Sequence, residues 1–149
     1  MLYRASVGDL KSGRLSRRYG HLVVVMQYYP RFVAREAIDE YLRSLAPDRE
    51  LFTEFKKQDR ELADHNAAFQ QVRYECRFTL TPAGLEDLER LSRLSSERDV
   101  FLLCQCTVLE RCHADLILLI ARRRFRASIP YLTQSYPEFE ARLSEFVGG

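Results

Sequence analysis

Two unbroken runs of apolar residues constrain the fold more than any other feature of this sequence. Leu22–Met26 and Val100–Cys104 contain no polar residue that would alternate with the apolar ones. Such runs are typical of central strands that are buried on both faces of a parallel sheet. Because parallel strands need long crossover connections, usually helices, the two runs predict an α/β fold with a small, mainly parallel sheet.

Helical patterns and shorter strands account for most of the remaining chain. The predicted helices share apolar residues at helical spacing, a capping residue or a terminating proline. Three of them are Val33–Ala46, Glu110–Arg124 and Pro137–Phe146. Another follows the N-cap Asp48 and has Leu51, Phe52, Phe55 and Leu62 on its apolar face. The last begins at the N-cap Thr81 and Pro82 and fades at Ser95 and Ser96. Further strands are predicted over Leu2–Val7 and Ser128–Thr133, and the pattern from Val72 to Leu80 fits a strand and a helix equally well.

The composition bounds the class of protein. The chain has 149 residues, 46% hydrophobic and 30% charged, which predicts a single globular domain over residues 1–149. The formal net charge of +2 does not support a nucleic-acid partner. We find no secretory signal and no apolar run near the ~20 residues that span a bilayer, so we expect a cytoplasmic protein without a membrane partner.

Polar segments follow three of the predicted strands. They are Ser6–Asp9, Tyr28–Arg31 and Cys104–His113. In open α/β sheets, ligands bind in the crevice beyond the carboxyl ends of the strands. We therefore expect the three segments to form one crevice for a small anionic or nucleotide-like ligand. The residues predicted to bind this ligand are Ser6, Asp9, Tyr28, Arg31 and Arg111.

The third segment holds three of the four cysteines and one of the three histidines. Cys104 or Cys112 is a candidate catalytic nucleophile, with His113, because a thiolate at a strand end or helix start is stabilised by the helix dipole and nearby cations. A metal site of Cys104, Cys106, Cys112 and His113 is the alternative, although this spacing is unlike the usual zinc motifs. A redox pair of Cys104 with Cys112 and ordinary packing of buried cysteines also fit.

Several motifs resemble the domain of unknown function 488 (DUF488) family. They are Tyr28–Arg31, Ile38–Leu42, Leu45–Pro47, Phe101–Cys104 and Cys112–His113. The resemblance covers about residues 3–124 and leaves 125–149 as a C-terminal extension. It implies a compact three-layer α/β sandwich from a bacterium or archaeon, a helix over residues 66–78, and no established activity.

The positions that match the family's pattern are Pro30, Arg31, Cys104, Cys112 and His113. The sequence departs from it where Ala114 replaces an arginine and Cys106 replaces an acidic residue. The first departure weakens an anion site, and the second favours a metal site.

Two questions stay open at this point, since the sequence assigns no cofactor and does not decide whether the protein is an enzyme. A metal-binding domain and a non-enzymatic interaction module remain alternatives. The isolated His21 and His65 are expected in ordinary surface roles.

Overall fold

A four-stranded parallel sheet lies at the centre of the computed structural model, which describes residues 1–147. The strands lie in the order β1 (Leu2–Ser6), β4 (Val100–Cys104), β2 (His21–Val24) and β3 (Glu40–Tyr41). Each neighbouring pair is parallel. The predicted α/β fold with a small parallel sheet is therefore confirmed.

The two apolar runs form the centre of this sheet. In the β4 strand, Leu102 packs into one buried cluster, whereas its neighbour Leu103 packs into a second. In β2, Val23 belongs to the first cluster and Val24 to the second. Because successive side chains of a strand point to opposite faces, the two clusters mark the two buried faces of the sheet.

Seven helices lie among residues 1–147. They are α1 (Val7–Lys11), α2 (Arg49–Leu62), α3 (His65–Gln71), α4 (Tyr74–Arg77), α5 (Pro82–Leu94), α6 (His113–Phe125) and α7 (Pro137–Val147). The first nine residues of α6 are all buried, so this helix is the centre of the larger core. The ambiguous segment before residue 80 is helical, as the family resemblance implies, with a break between α3 and α4 at Arg73 (φ +56°).

The predicted helix over Val33–Ala46 is wrong. Two short 3₁₀ turns lie there instead, on either side of β3. The segment forms hydrogen bonds with the edge of β2 that does not pair with β4. Asp39 N donates to Leu22 O at 2.9 Å, and Leu22 N donates to the Asp39 carboxylate at 2.8 Å. Tertiary pairing thus overrides the helical spacing of the apolar residues.

Two further expectations differ from the structure at the C-terminal side. Ser128–Thr133 forms no strand, and its single backbone link to the sheet is a bond from Leu2 N to Ser128 O. Pro130 cannot donate to a ladder, which accounts for the lack of pairing. The α6 helix begins three residues later than the predicted Glu110 start.

Within residues 1–147, every helix is too short or too polar to cross a membrane.

Gly84 packs the first turn of α5 tightly against the 3₁₀ turn before α2. A Cβ at this position would lie 2.5 Å from the carbonyl oxygen of Ser44. We expect Gly84→Ala to lower the free energy of unfolding by about 1–3 kcal/mol, although alanine normally favours a helix. Thermal unfolding measures this effect. Gly8→Ala is the control, because its nearest contact is an ordinary 3.4 Å, and a stabilised Gly84→Ala variant would contradict the packing.

Candidate functional site

Three cysteine thiols meet where β4 ends and α6 begins. Cys104 is the last residue of β4, Cys106 lies in the loop that follows, and Cys112 caps the N-terminus of α6. Their Sγ atoms all lie within 4.8 Å of one another, and those of Cys104 and Cys112 are 3.0 Å apart. These residues form the thiol cluster, in which Cys104 and Cys112 are buried and Cys106 is half-buried.

Arg4 holds the loop of residues 105–111 in place from the neighbouring strand β1. Its guanidinium pairs with the Asp115 carboxylate at 2.7 Å, and it donates to the carbonyl oxygens of Glu110 (2.7 Å) and Thr107. The two side chains of the pair are only 10% and 3% exposed. Burial by itself would lower the pKa of Arg4, but the surrounding thiols and Asp115 raise it above its ordinary value. Arg4 is therefore a permanent positive charge beside the thiol cluster.

A hydrogen-bonded chain continues from this ion pair to the start of α6. The Tyr136 hydroxyl donates to Asp115 Oδ2 at 2.6 Å and accepts from the backbone N–H of Cys112 at 3.1 Å. Burial raises the pKa of Tyr136, so its hydroxyl stays a donor. Burial also raises the pKa of Asp115, against the opposing influence of Arg4 and Tyr136. The chain fixes the backbone position of Cys112.

Of the three thiols in the cluster, Cys104 is the one whose surroundings favour a thiolate. The thiols of Cys106 and then Cys112 donate hydrogen bonds to it, and with Arg4 they hold the pKa of Cys104 well below its ordinary value despite burial. The same arrangement raises the pKa of Cys106 through its bond to Cys104, and burial raises that of Cys112. One thiolate with two thiol donors is thus the favoured state.

His113 presents an unprotonated ring nitrogen to the thiol cluster. Its Nε2 lies 2.7 Å from the carbonyl oxygen of Val25. Because a carbonyl only accepts, Nε2 carries the hydrogen and Nδ1 is left as an acceptor. This Nδ1 lies 3.8 Å from Cys112 Sγ, and burial lowers the pKa of His113, which keeps the ring neutral. His113 is placed to accept a proton from Cys112.

A cavity of about 530 Å³ opens over the thiol cluster. It is lined by the predicted ligand residues Tyr28, Arg31 and Arg111 and by the predicted catalytic residues Cys104, Cys112 and His113. Two of the three predicted segments are therefore brought together.

The mouth of this main cavity carries aromatic rings and cations. Tyr28 and Phe32 are 50% and 52% exposed, and Tyr28 contacts Phe52 edge to face. Arg31 has no ion-pair or hydrogen-bond partner among the residues that the structure describes. The buried hydroxyl of Tyr29 likewise has no hydrogen-bond partner among residues 1–147.

The third predicted segment lies elsewhere. The Ser6 side chain accepts from Gly8 N at 3.1 Å, while Asp9 receives a bond from Ser6 N and pairs with Arg14. The two predicted ligand residues thus cap α1, and they line a separate cavity of about 280 Å³. Cys106 lines both cavities, so the predicted single crevice is divided in two at this residue.

His65 is a site residue that the sequence analysis missed. We expected it on the surface, but it lines the main cavity. Its Nε2 lies 2.7 Å from Arg111 O and 3.7 Å from Cys106 Sγ, and its Nδ1 lies 3.3 Å from the Glu110 carboxylate. His65 therefore ties the start of α3 to the loop that carries Cys106. No sequence signal distinguishes this histidine from a surface one.

Arg4, Asp115 and Tyr136 were missed as well. Two of them could have been identified from the sequence. Arg4 is a charged residue inside a β-prone run, and Asp115 is a carboxylate within the most apolar helix. A charge at such a position is costly unless it is paired, so each predicts a buried partner of opposite sign.

The predicted metal ligands come together only in part. Cys104, Cys106 and Cys112 form a group whose sulfur atoms could surround one ion. The fourth predicted ligand, His113, lies next to this group, with Nε2 engaged by the Val25 carbonyl.

Comparison with known proteins gives one finding. The family model described as the active DUF488-N3 subclade (DUF488-N3a) matches residues 7–124, a range that includes the whole thiol cluster. This is the family that the sequence motifs resemble. No curated protein and no solved structure matches the chain.

Proposed function

The chain belongs to the DUF488 family, and from its site we propose that it binds a small anionic, nucleotide-like ligand and that Cys104 attacks this ligand as a nucleophile. One observation carries the proposal: Cys104 lines the same cavity as Arg31, which has no ion-pair partner among residues 1–147, and as the half-exposed rings of Tyr28 and Phe32. The description of the matching subclade as active supports a chemical role for the site.

The lining of the main cavity supports an anionic ligand that contains a ring. Arg31 and Lys56 have no carboxylate partner among residues 1–147, and an arginine fork recognises phosphate or carboxylate. The half-exposed rings of Tyr28 and Phe32 suit stacking with a planar ring. A volume of about 530 Å³ is typical of small-molecule sites.

The thiol cluster supports the nucleophilic role of Cys104. A thiolate, unlike a thiol, is a strong nucleophile at neutral pH. Cys104 ends β4, where it pairs with Ser6 of β1, and the preceding Leu103 pairs with Val24 of β2. Its charge is stabilised by two thiol donors and by Arg4. In this proposal Cys112 and His113 support the thiolate, and Arg31 and Tyr28 hold the ligand.

Competition between two alkylating reagents tests the anion site. Iodoacetate is negatively charged and iodoacetamide is neutral, so the ratio of their rates at Cys104 reports the local positive charge. We expect Arg31→Gln to lower this ratio roughly two- to fivefold through the lost Coulomb attraction. Arg124→Gln is the control, because Arg124 is exposed on α6 and does not line the main cavity. Equal ratios in wild type and Arg31→Gln would contradict the anion site.

Protection of Cys104 tests the ligand class. We expect adenosine monophosphate to slow iodoacetamide labelling of Cys104, because it combines a phosphate with a planar ring. Ribose 5-phosphate lacks the ring and adenosine lacks the charge, so each is expected to protect less. Lack of protection by all three compounds at millimolar concentration would overturn the nucleotide-like ligand.

A zinc site is the second candidate function, favoured by the distances of at most 4.8 Å between the three sulfur atoms. Zinc binds cysteine sulfur at about 2.3 Å and leaves an open position in catalytic sites. Metal content per chain, measured by mass spectrometry on untagged protein purified without chelator, decides between the two. About one zinc per chain would replace the nucleophile by a metal centre, and metal-free protein with reactive Cys104 supports the thiolate.

A further inference from the structure

We propose that a hydroperoxide oxidises Cys104 and that Cys112 then closes a reversible Cys104–Cys112 disulfide at the floor of the main cavity. The proposal adds a redox reaction and a modification site to the proposed function. It rests on the proposed function in one respect, because Cys104 must be the cysteine that reacts first.

The geometry of the two sulfur atoms carries this inference. Cys104 Sγ and Cys112 Sγ lie 3.0 Å apart, so no third group separates them. A disulfide bond is about 2.05 Å long, and an approach of about 1 Å therefore joins the two atoms. Both thiols are free and buried, whereas Cys76 lies outside the thiol cluster.

Cys112 is a better partner for Cys104 than Cys106 is. All three sulfur atoms are close together, but only one residue separates Cys104 from Cys106. A disulfide needs its two Cα atoms about 5.5 Å apart with Cβ vectors that converge, and a one-residue spacing strains that requirement. Cys112 belongs to a different element, the N-cap of α6, and its Sγ lies 3.0 Å from Cys104 Sγ.

The first chemical step takes place at Cys104. The thiolate sulfur attacks one oxygen of the hydroperoxide, a sulfur–oxygen bond forms, and the oxygen–oxygen bond breaks. Its electron pair leaves with the second oxygen, which takes a proton from solvent to give an alcohol or water. The sulfur loses two electrons and becomes a sulfenic acid.

The second step takes place between the two cysteines. Cys112 Sγ attacks the sulfenic sulfur of Cys104, a sulfur–sulfur bond forms, and the sulfur–oxygen bond breaks. His113 Nδ1, 3.8 Å from Cys112 Sγ, accepts the thiol proton and passes it to the departing hydroxide, which leaves as water. A small-molecule dithiol reverses the disulfide by thiol–disulfide exchange.

Titration of the full-length protein with one equivalent of hydrogen peroxide tests the proposal. We expect an intact mass that is lower by two hydrogens, a peptide that links Cys104 to Cys112, and recovery of both thiols on addition of dithiothreitol. A Cys104–Cys106 link, or oxidation of Cys76 before Cys104, would overturn the assignment.

Two variants make the test specific. In Cys112→Ser we expect the Cys104 sulfenic acid to persist and to be trapped by dimedone. Cys76→Ser is the control and is expected to form the disulfide as wild type does, because Cys76 lies outside the thiol cluster. Circular dichroism confirms that each variant is folded. A disulfide that forms in Cys112→Ser as readily as in wild type would contradict the role of Cys112.

Failure of this inference can be told apart from failure of the proposed function. Fast alkylation of Cys104 without disulfide formation would overturn the redox step and leave the nucleophile in place. Slow alkylation of Cys104 together with no oxidation would remove both.

Discussion

Arg4→Met is expected to lower the free energy of unfolding by about 3–5 kcal/mol, the largest effect on stability that we predict for a single substitution. Arg4 is the partner of the buried Asp115 carboxylate at 2.7 Å. Methionine fills most of the space but leaves that carboxylate without a charge partner. It also removes the donors to the carbonyl oxygens of Thr107 and Glu110, so the loop that follows β4 loses its anchor.

Chemical denaturation of three variants tests this result. In Arg4→Met/Asp115→Leu the orphaned charge is gone, so we expect the double variant to be more stable than Arg4→Met alone. Arg93→Met is the matched control, because Arg93 is 80% exposed in its pair with Glu89, and such pairs contribute little. A loss of less than about 1 kcal/mol for Arg4→Met would contradict the anchoring role.

Cys104→Ser is expected to reduce total alkylation by iodoacetate at pH 6.5 by about 10- to 100-fold, the largest effect on reactivity. The pKa of Cys104 is lowered, so its thiolate fraction falls less than that of an ordinary thiol as the pH drops below 9. The pKa of Cys76 is raised by its hydrogen bond to Glu138, so its thiolate fraction falls about tenfold per pH unit over the same range.

The rate of alkylation between pH 6 and 9 measures this difference. We expect a shallower rise with pH for Cys76→Ser, which retains Cys104, than for Cys104→Ser. Profiles of equal slope in the two variants would contradict a stabilised thiolate at Cys104.

The central part of the fold follows from local patterns. The runs Leu22–Met26 and Val100–Cys104 predict the two inner strands, because a strand buried on both faces has no room for polar residues. Caps also mark helix starts correctly: Asp48 accepts from Leu51 N and Thr81 from Gly84 N. The convergence of Tyr28–Arg31 with the thiol cluster follows from parallel strand direction alone.

The rest depends on partners that are distant in the sequence. The segment 33–46 has helical spacing, yet the free edge of β2 takes its backbone bonds. Ser6 and Asp9 satisfy each other in a cap, so they do not reach the main cavity. His65 becomes a site residue only because α3 packs against the loop before α6. In this contact His65 Nε2 lies next to the carbonyl oxygen of Arg111, which is 46 residues further along the chain.

Limited labelling of wild-type protein tests whether Cys104 is the reactive thiolate. The protein is treated with substoichiometric iodoacetate at pH 6.5, and the labelled cysteine is identified by peptide mapping. We expect the label first on Cys104, although Cys104 is buried and Cys76 is partly exposed. This order requires both a stabilised thiolate and access through the main cavity. Labelling of Cys76 first, with Cys104 left unmodified, would contradict a reactive thiolate at Cys104.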